Sequence, residues 1–167
     1  MLKNDYVEQD CSVARALEVV GERWTLLIVR ELLKKPSRFL ELEHALVVAK
    51  NILTDRLEKM TLMGIVEKQP VPSSHDWSVY HLTEKGRDLF PVVNALMAWG
   101  DHYAAPDGPP LILKHSCGKA PGHQLVCESC GERLHQKDLQ IAYVRTVGPL
   151  PKGRRRSRQT AKKRQKK

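Results

Sequence analysis

Between residues 37 and 82 the hydrophobic positions first repeat at helical spacing and then alternate with polar ones. This order predicts two short helices followed by a β-hairpin. In the second helix, expected over about residues 51–63, Leu53, Leu57 and Met60 stand at i, i+4 and i+7 and form one apolar face. The opposite face carries Lys50, Asn51, Thr54, Asp55, Glu58 and Lys59.

The residues at the ends of these elements support the same division. Ser37 follows a proline and is placed to cap a helix over residues 38–46. Gly64 is suited to end the second helix, because glycine readily adopts the left-handed conformation found there. Residues 65–71 and 77–82 are predicted strands. A helix pair followed directly by a hairpin is typical of a winged helix-turn-helix, whose second helix enters the major groove of DNA.

Three further helices are predicted around this unit. They cover Ser12 to Val20, Glu22 to Lys34, and one long stretch over residues 84–103 that begins after a capping Thr83. Pro91 lies inside the long helix, where it should bend the helix or remove a hydrogen bond. This helix has two apolar faces, so we expect one to pack in its own domain and the other against a second copy of the chain.

The net charge of +9 is concentrated at one end of the chain. Residues 152–167 hold ten lysines and arginines and no acid, so their removal takes the net charge from +9 to −1. Such a segment cannot bury a core and is predicted to be disordered. Its functional interpretation is non-specific attraction to phosphates, and the alternative is a tail that only improves solubility.

Several classes of protein do not fit the sequence. Its apolar runs are shorter than the roughly 20 residues that span a bilayer. The first thirteen residues contain acids and lack the apolar stretch of a signal peptide. The four cysteines do not form the pattern of a secreted disulfide framework. We therefore expect a cytoplasmic protein with no membrane partner, and the lack of a Gly-rich phosphate loop or a His/Ser/Asp set argues against an enzyme.

Four residues near the C-terminus have the spacing of metal ligands. They are His115, Cys117, Cys127 and Cys130, which read as HxC, nine residues, then CxxC. Gly118 and Gly131 follow the two halves and permit tight turns in which backbone amides face a metal-bound sulfur. This donor set suits tetrahedral zinc in a closed, structural site. His123 and His135 are alternatives to His115 as the fourth ligand, and free thiols without metal are the alternative to a zinc site.

At this point the sequence resembles a known family. The segments CSVARALEVVGERWTLLIVREL, RFLELEHAL, NILTDRLEKMTLMGIVEK and YHLTEKGRDL, with a tryptophan further on, occur in the order found in HxlR-type transcriptional regulators. The resemblance covers roughly residues 11–103. It implies a homodimer built from the first and last helices of the domain, which binds double-stranded operator DNA through paired recognition helices, with a wing over residues 65–82 beside each.

Carried over residue by residue, the resemblance gives a set of DNA contacts. These are Asn51, Thr54, Asp55 and Arg56 on the recognition helix, with Lys50 at its start, and Ser73, Ser74 and His75 at the tip of the wing. Acids are unusual for phosphate contact, so Asp55 has a structural alternative, in which it orients Arg56 or Lys59 through a local ion pair.

Cys11 matches a position at which many members of the family carry a cysteine, and some of those use it to sense oxidants or electrophiles. The position has a physical rationale, because the N-terminus of a helix favours a thiolate. The alternative is a small residue that packs at the dimer contact. A redox or small-molecule effector is therefore compatible with the resemblance.

These expectations divide the chain into four parts. They are a winged helix-turn-helix domain over residues 1–104, a linker over 105–110, a zinc-ribbon-like cysteine unit over 111–147, and a basic tail over 148–167. The leading hypothesis is a dimeric DNA-binding transcriptional regulator. The alternative is a protein-interaction adaptor that uses the winged helix as a scaffold and the cysteine unit and tail for docking.

Overall fold

The structure, a computed structural model, describes residue 6 and residues 11–71, 77–122 and 124–140. Its helices are α1 (Ser12–Val20), α2 (Thr25–Lys34), α3 (Phe39–Leu46), α4 (Lys50–Leu62), α5 (Glu84–Arg87) and α6 (Phe90–Tyr103), and its strands are β1 (Ser37–Arg38), β2 (Val66–Pro70) and β3 (Ser78–Leu82). A short 3-10 helix follows at Gln136–Asp138. None of the helices in these ranges is long and apolar enough to cross a bilayer.

The three strands form one antiparallel sheet in the order β1-β3-β2. Strands β2 and β3 are the predicted hairpin, paired from Val66 opposite Leu82 to Pro70 opposite Ser78. Strand β1 was not predicted, because two residues are too few to show an alternating pattern. The prediction of a mainly helical winged helix-turn-helix with a small sheet is confirmed.

The core of the domain lies where α2, α3 and α4 meet the sheet. The predicted stripe of α4 is buried, with Leu53 at 0%, Leu57 at 2% and Met60 at 1% exposure. Its neighbours in the core are Val20, Ile28, Val29, Leu32, Leu42, Leu46, Val48, Ile65, Val66 and Leu82. Because the stripe is held in this way, the opposite face of α4 is turned outward.

Two of the predicted helix ends have different outcomes. Helix α4 ends as expected: Gly64 has φ +69°, and the amides of Gly64 and Ile65 donate to the carbonyls of Thr61 (3.0 Å) and Met60 (2.9 Å). The prediction that Ser37 caps α3 is wrong. Ser37 is buried in β1, and Arg38 is the residue before the helix. Pairing with β3 holds Ser37 in the sheet and moves the start of the helix by one residue.

The prediction of one long helix over residues 84–103 is also wrong, because the structure has two helices there, α5 and α6. Thr83 caps α5 as predicted, and its hydroxyl accepts from the amide of Gly86 at 3.1 Å. Pro91 explains the division. In a continuous helix its ring would clash with the carbonyl of Arg87, whereas at the second position of α6 its missing N–H removes no helical hydrogen bond.

The described part of the cysteine unit is made of turns and little regular structure. Val126 and Arg133 form an isolated antiparallel bridge. At its start, Leu111 and Leu113 line a cavity of about 220 Å³ together with residues of α2 and α6, among them Leu33 and Val93. The beginning of the cysteine unit therefore lies beside the winged-helix domain. The predicted boundary at residues 105–110 stays a prediction.

Candidate nucleic-acid interface

Helix α4 presents an exposed polar surface over its first two turns. Lys50, Asn51, Thr54 and Asp55 are all exposed, while Leu53 between them is fully buried. Two of these side chains, Asn51 and Thr54, are short, uncharged and able to form hydrogen bonds, and both lie near the N-terminal end of the helix. Side chains of this kind can pair with base edges in the major groove.

The turn between α3 and α4 contains a residue in the left-handed conformation. Val47 ends α3 with φ +50° and ψ +48°, a left-handed conformation that β-branched residues rarely adopt. Its side chain is 89% exposed, so packing does not explain the choice of residue. The next residue, Val48, is 6% exposed and anchors the turn in the core.

Arg56 is the one predicted contact on α4 that does not lie on the exposed surface. Its side chain is 10% exposed and is ion-paired with the carboxylate of Glu22, which lies between α1 and α2. A second carboxylate, Asp55, stands 3.6 Å from the guanidinium. The structure therefore separates Arg56 from Asn51 and Thr54 and holds it against the domain.

Asp55 forms the local ion pair that was its structural alternative. Its carboxylate lies 2.9 Å from the ammonium of Lys59, and Lys59 is 3.5 Å from Glu22. The hydrogen bond to Lys59 lowers the pKa of Asp55, and the same bond raises the pKa of Lys59. The hydrogen bond from Arg56 likewise lowers the pKa of Glu22. Glu22, Asp55 and Lys59 are thus charged at neutral pH, and the cluster pairs two carboxylates with two basic side chains.

The wing contributes one contact that sequence reasoning missed. Its predicted tip, Ser73, Ser74 and His75, lies outside the described residues. At its base, the guanidinium carbon of Arg38 lies 5.0 Å from the centroid of the Trp77 ring, a cation–π arrangement. Only the pairing of β1 with β3 brings these distant residues together, so the sequence held no local signal for the contact.

Cys11 is the N-cap residue of α1, as predicted from its position before the first helix. Its sulfur accepts from the amide of Ala14 at 3.3 Å, and the residue is exposed. The thiol therefore lies at the positive end of the α1 dipole and is accessible from solvent.

The two predicted cysteine turns are both formed. The amide of Gly118 donates to the carbonyl of His115 at 2.8 Å, and the amide of Gly131 donates to that of Cys127 at 2.7 Å. Both glycines have the left-handed conformation that such turns need, with φ +84° and +76°. In the second turn, backbone amides of Cys130 and Ser129 point at the sulfur of Cys127 and lower the pKa of its thiol.

The two turns do not meet in a metal site. Among the described residues, no three His, Cys, Asp or Glu side chains lie close enough together to hold an ion. The predicted ligands His115, Cys117, Cys127 and Cys130 are therefore not gathered at one point in this arrangement. Of the alternative ligands, His135 is described and exposed, and His123 lies outside the described residues. Zinc therefore stays a prediction.

The fold and the exposed surface of α4 together define the class of protein. It is a winged helix-turn-helix protein of the DNA-binding type. Residues 19–108 match the HxlR-like helix-turn-helix family, and the chain belongs to that family. An uncharacterized HTH-type transcriptional regulator of Mycobacterium tuberculosis is 42% identical over 130 residues, which cover 77% of this chain and 82% of the relative. The protein is accordingly a DNA-binding transcription regulator, and the family is not one of enzymes, as predicted.

Two solved structures illustrate the similarity of the chain to known proteins. PA1607, described as a transcription factor, is 35% identical with a TM-score of 0.73, and the match covers 81% of this chain and 96% of that one. The redox regulator HypR in its reduced form is 27% identical with a TM-score of 0.52, over 55% of this chain and 92% of that one. The match to PA1607 covers 81% of the chain, whereas residues 1–108 make up only about two thirds of it. The match therefore extends into the cysteine unit.

Proposed function

We propose that the chain is a homodimeric, sequence-specific regulator that reads operator DNA with the first turns of α4 in the major groove. The observation that carries the proposal is the division of α4 into a buried stripe and an exposed polar end. Asn51 has the amide that pairs with adenine, and Thr54 offers a hydroxyl and a methyl group to base edges. Lys50, at the start of the helix, suits a phosphate contact that sets the register.

The reading helix is tested by two alanine variants, Asn51→Ala and Thr54→Ala. Each should weaken binding to a duplex selected by the wild-type protein from a random library, by about 1–3 kcal/mol for a well-formed base contact. Thr61→Ala is the matched control, because Thr61 is an exposed threonine in the last turn of the same helix. The unfolding temperatures of the Asn51→Ala and Thr54→Ala variants should equal that of the wild-type protein. Wild-type affinity in both variants would exclude α4 as the reader.

The homodimer is supported by an uncovered apolar stripe on α6. Val92, Leu96, Trp99 and Tyr103 follow at i, i+4, i+7 and i+11 and are 43%, 52%, 61% and 69% exposed. On α1, Val13 is 68% exposed and lies on the side of the helix that the sequence predicted for dimerisation. An isolated domain would leave this surface in water, and a second copy of the chain would bury it symmetrically.

Sedimentation at micromolar concentration tests the dimer. The wild-type chain should sediment as a dimer, and Trp99→Glu should shift it to a monomer because a buried unpaired carboxylate is costly. Leu40→Glu is the control, since Leu40 is 67% exposed on α3 and lies outside the stripe. A monomeric wild-type chain would contradict the proposal.

We also propose that Cys11 makes DNA binding responsive to oxidation, by analogy with the redox regulator HypR. A peroxide would oxidise the Cys11 thiols of two chains to one disulfide and would itself be reduced to water. Peroxide treatment should therefore change operator affinity and produce a chain dimer on a non-reducing gel. Cys11→Ser should remove both effects, whereas Cys130→Ser should leave them, and persistence of both in Cys11→Ser would exclude the assignment.

A structural zinc ion is the proposal for the cysteine unit. Its support is the donor chemistry of Cys127 and Cys130 in an amide-lined turn, together with a region that has no buried residue among those described. Binding by four ligands would require the turn at Cys117 to approach the turn at Cys127. The ion would then act as a cross-link and stabilise a segment that has no hydrophobic core of its own.

A further inference from the structure

Four charged groups form a cluster where α4 faces the connection between α1 and α2. Glu22 comes from that connection, and Asp55, Arg56 and Lys59 come from α4. Glu22 is ion-paired with Arg56 and lies 3.5 Å from Lys59, while Asp55 lies 2.9 Å from Lys59. Two carboxylates thus face two cations, and Glu22 is the member that does not belong to the recognition helix.

Arg56 is held firmly in this cluster. Its residue exposure is 9%, and its Nε is buried with no hydrogen-bond partner among the described residues. The guanidinium therefore depends on the carboxylate of Glu22 for its compensation, because a buried cation without a partner is strongly unfavourable. Lys59 is different, since its side chain is 46% exposed, and without the charge of Glu22 it would be held by Asp55 alone.

We propose that Glu22 is a specificity-determining positioning residue, which holds Arg56 and Lys59 against the domain so that α4 meets DNA with Asn51 and Thr54. The proposal rests on α4 being the reading helix. Free cations on this helix would attract the phosphates of any duplex and raise affinity without regard to sequence. Glu22 and Asp55 offset them, and the sequence-dependent contacts then account for a larger share of the binding free energy.

The first test is Glu22→Gln, which removes the charge but leaves an oxygen that can accept from Arg56. Binding is measured by anisotropy across a salt series, with the duplex selected by wild-type protein and a scrambled duplex of equal length. Each extra phosphate contact adds about −0.9 to the slope of log K against log salt. The variant should bind scrambled DNA more tightly, by up to about eightfold in ~0.1 M salt, and the ratio of selected to scrambled affinity should fall.

A double-mutant cycle distinguishes release of Lys59 from a general change of charge. The added slope of Glu22→Gln should disappear when Lys59→Gln is also present. Glu58→Gln is the control, because it removes one negative charge from the same helix, and residues adjacent in sequence on a helix do not face each other. Its effect should add to that of Lys59→Gln without coupling. Equal coupling for Glu22 and Glu58 would overturn the proposal.

A purely structural role would give another result. Glu22→Gln would then lower the unfolding temperature and leave the affinity ratio and the salt slope at wild-type values, which would also overturn the proposal. Asn51→Ala is included in the same titrations. If that variant keeps wild-type preference for the selected duplex, the reading helix itself is wrong; if it loses the preference while Glu22→Gln changes nothing, only the role of Glu22 is wrong.

Discussion

Side chains of α2, α3 and α4 form a closed apolar core, whereas no residue is buried in the described part of the cysteine unit. Ile28, Leu53 and Leu57 are at most 2% exposed. Across residues 111–122 and 124–140, by contrast, the side chains are exposed or at most half-buried. The first region is stabilised by removal of apolar surface from water. The second lacks this source of stability, and a segment of its size without a core usually depends on a cross-link such as a metal.

The two regions also differ in the residue type that takes the left-handed conformation in their turns. Each turn of the cysteine unit places a glycine in the left-handed conformation, at Gly118 and Gly131. The turn of the helix-turn-helix uses Val47 instead, with φ +50°. A domain with a large core tolerates such a residue because packing elsewhere holds the backbone in place.

The largest expected effect is on the cysteine unit and follows removal of zinc. Structural zinc sites have apparent binding free energies of about 10–16 kcal/mol, most of which is folding free energy. We expect about one zinc per chain by elemental analysis of protein prepared without chelator. Chelation, or Cys127→Ser, should abolish amide protection in residues 111–140 and leave α2 and α4 protected in hydrogen exchange.

Cys11→Ser is the control for that change, because Cys11 caps α1 and lies outside the unit. It should retain the zinc and the protection pattern. Metal-free protein with protected amides between residues 111 and 140 would show that the unit has another source of stability, and the contrast between the two regions would be withdrawn.

The next effect is on the winged-helix domain. Leu57→Ala should lower the free energy of unfolding by about 2–5 kcal/mol, because it opens a cavity in a closed core. Leu125→Ala, at a leucine of the cysteine unit that is 63% exposed, should change it by less than about 0.5 kcal/mol. Urea unfolding followed by far-ultraviolet circular dichroism measures both. Comparable losses would mean that the cysteine unit contributes an apolar core of its own.

Much of the first region could be predicted from the sequence. The spacing of Leu53, Leu57 and Met60 decided which face of α4 is buried, and Gly64 decided where it ends. Local signals of this kind depend only on helix periodicity and on backbone sterics. They failed at Ser37, because its position is set by pairing with a strand about forty residues away.

The candidate site was less predictable, since its electrostatics depend on contacts between distant segments. Arg56 looks like a phosphate contact when α4 is taken alone, and only the fold brings Glu22 beside it. Pro91 was recognised as a conflict with the long helix, but the sequence did not say whether the helix would bend or end. The cysteine spacing predicted the two turns but not their separation.

The smallest effect concerns the left-handed turn residue of the helix-turn-helix. Val47→Asn should stabilise the domain by about 0.5–1 kcal/mol, because asparagine adopts the left-handed conformation more readily than a β-branched residue. The substitution removes almost no packing, since Val47 is 89% exposed. Val47→Ile keeps the branch at Cβ and is the control, which should be near neutral. Urea midpoints with unchanged slopes would measure the difference. If Val47→Asn is neutral as well, the backbone at this turn carries no strain, and the contrast with Gly118 and Gly131 reflects the sequence alone. If it stabilises the fold but alters affinity for the selected duplex, the strained turn also sets the angle at which α4 enters the groove.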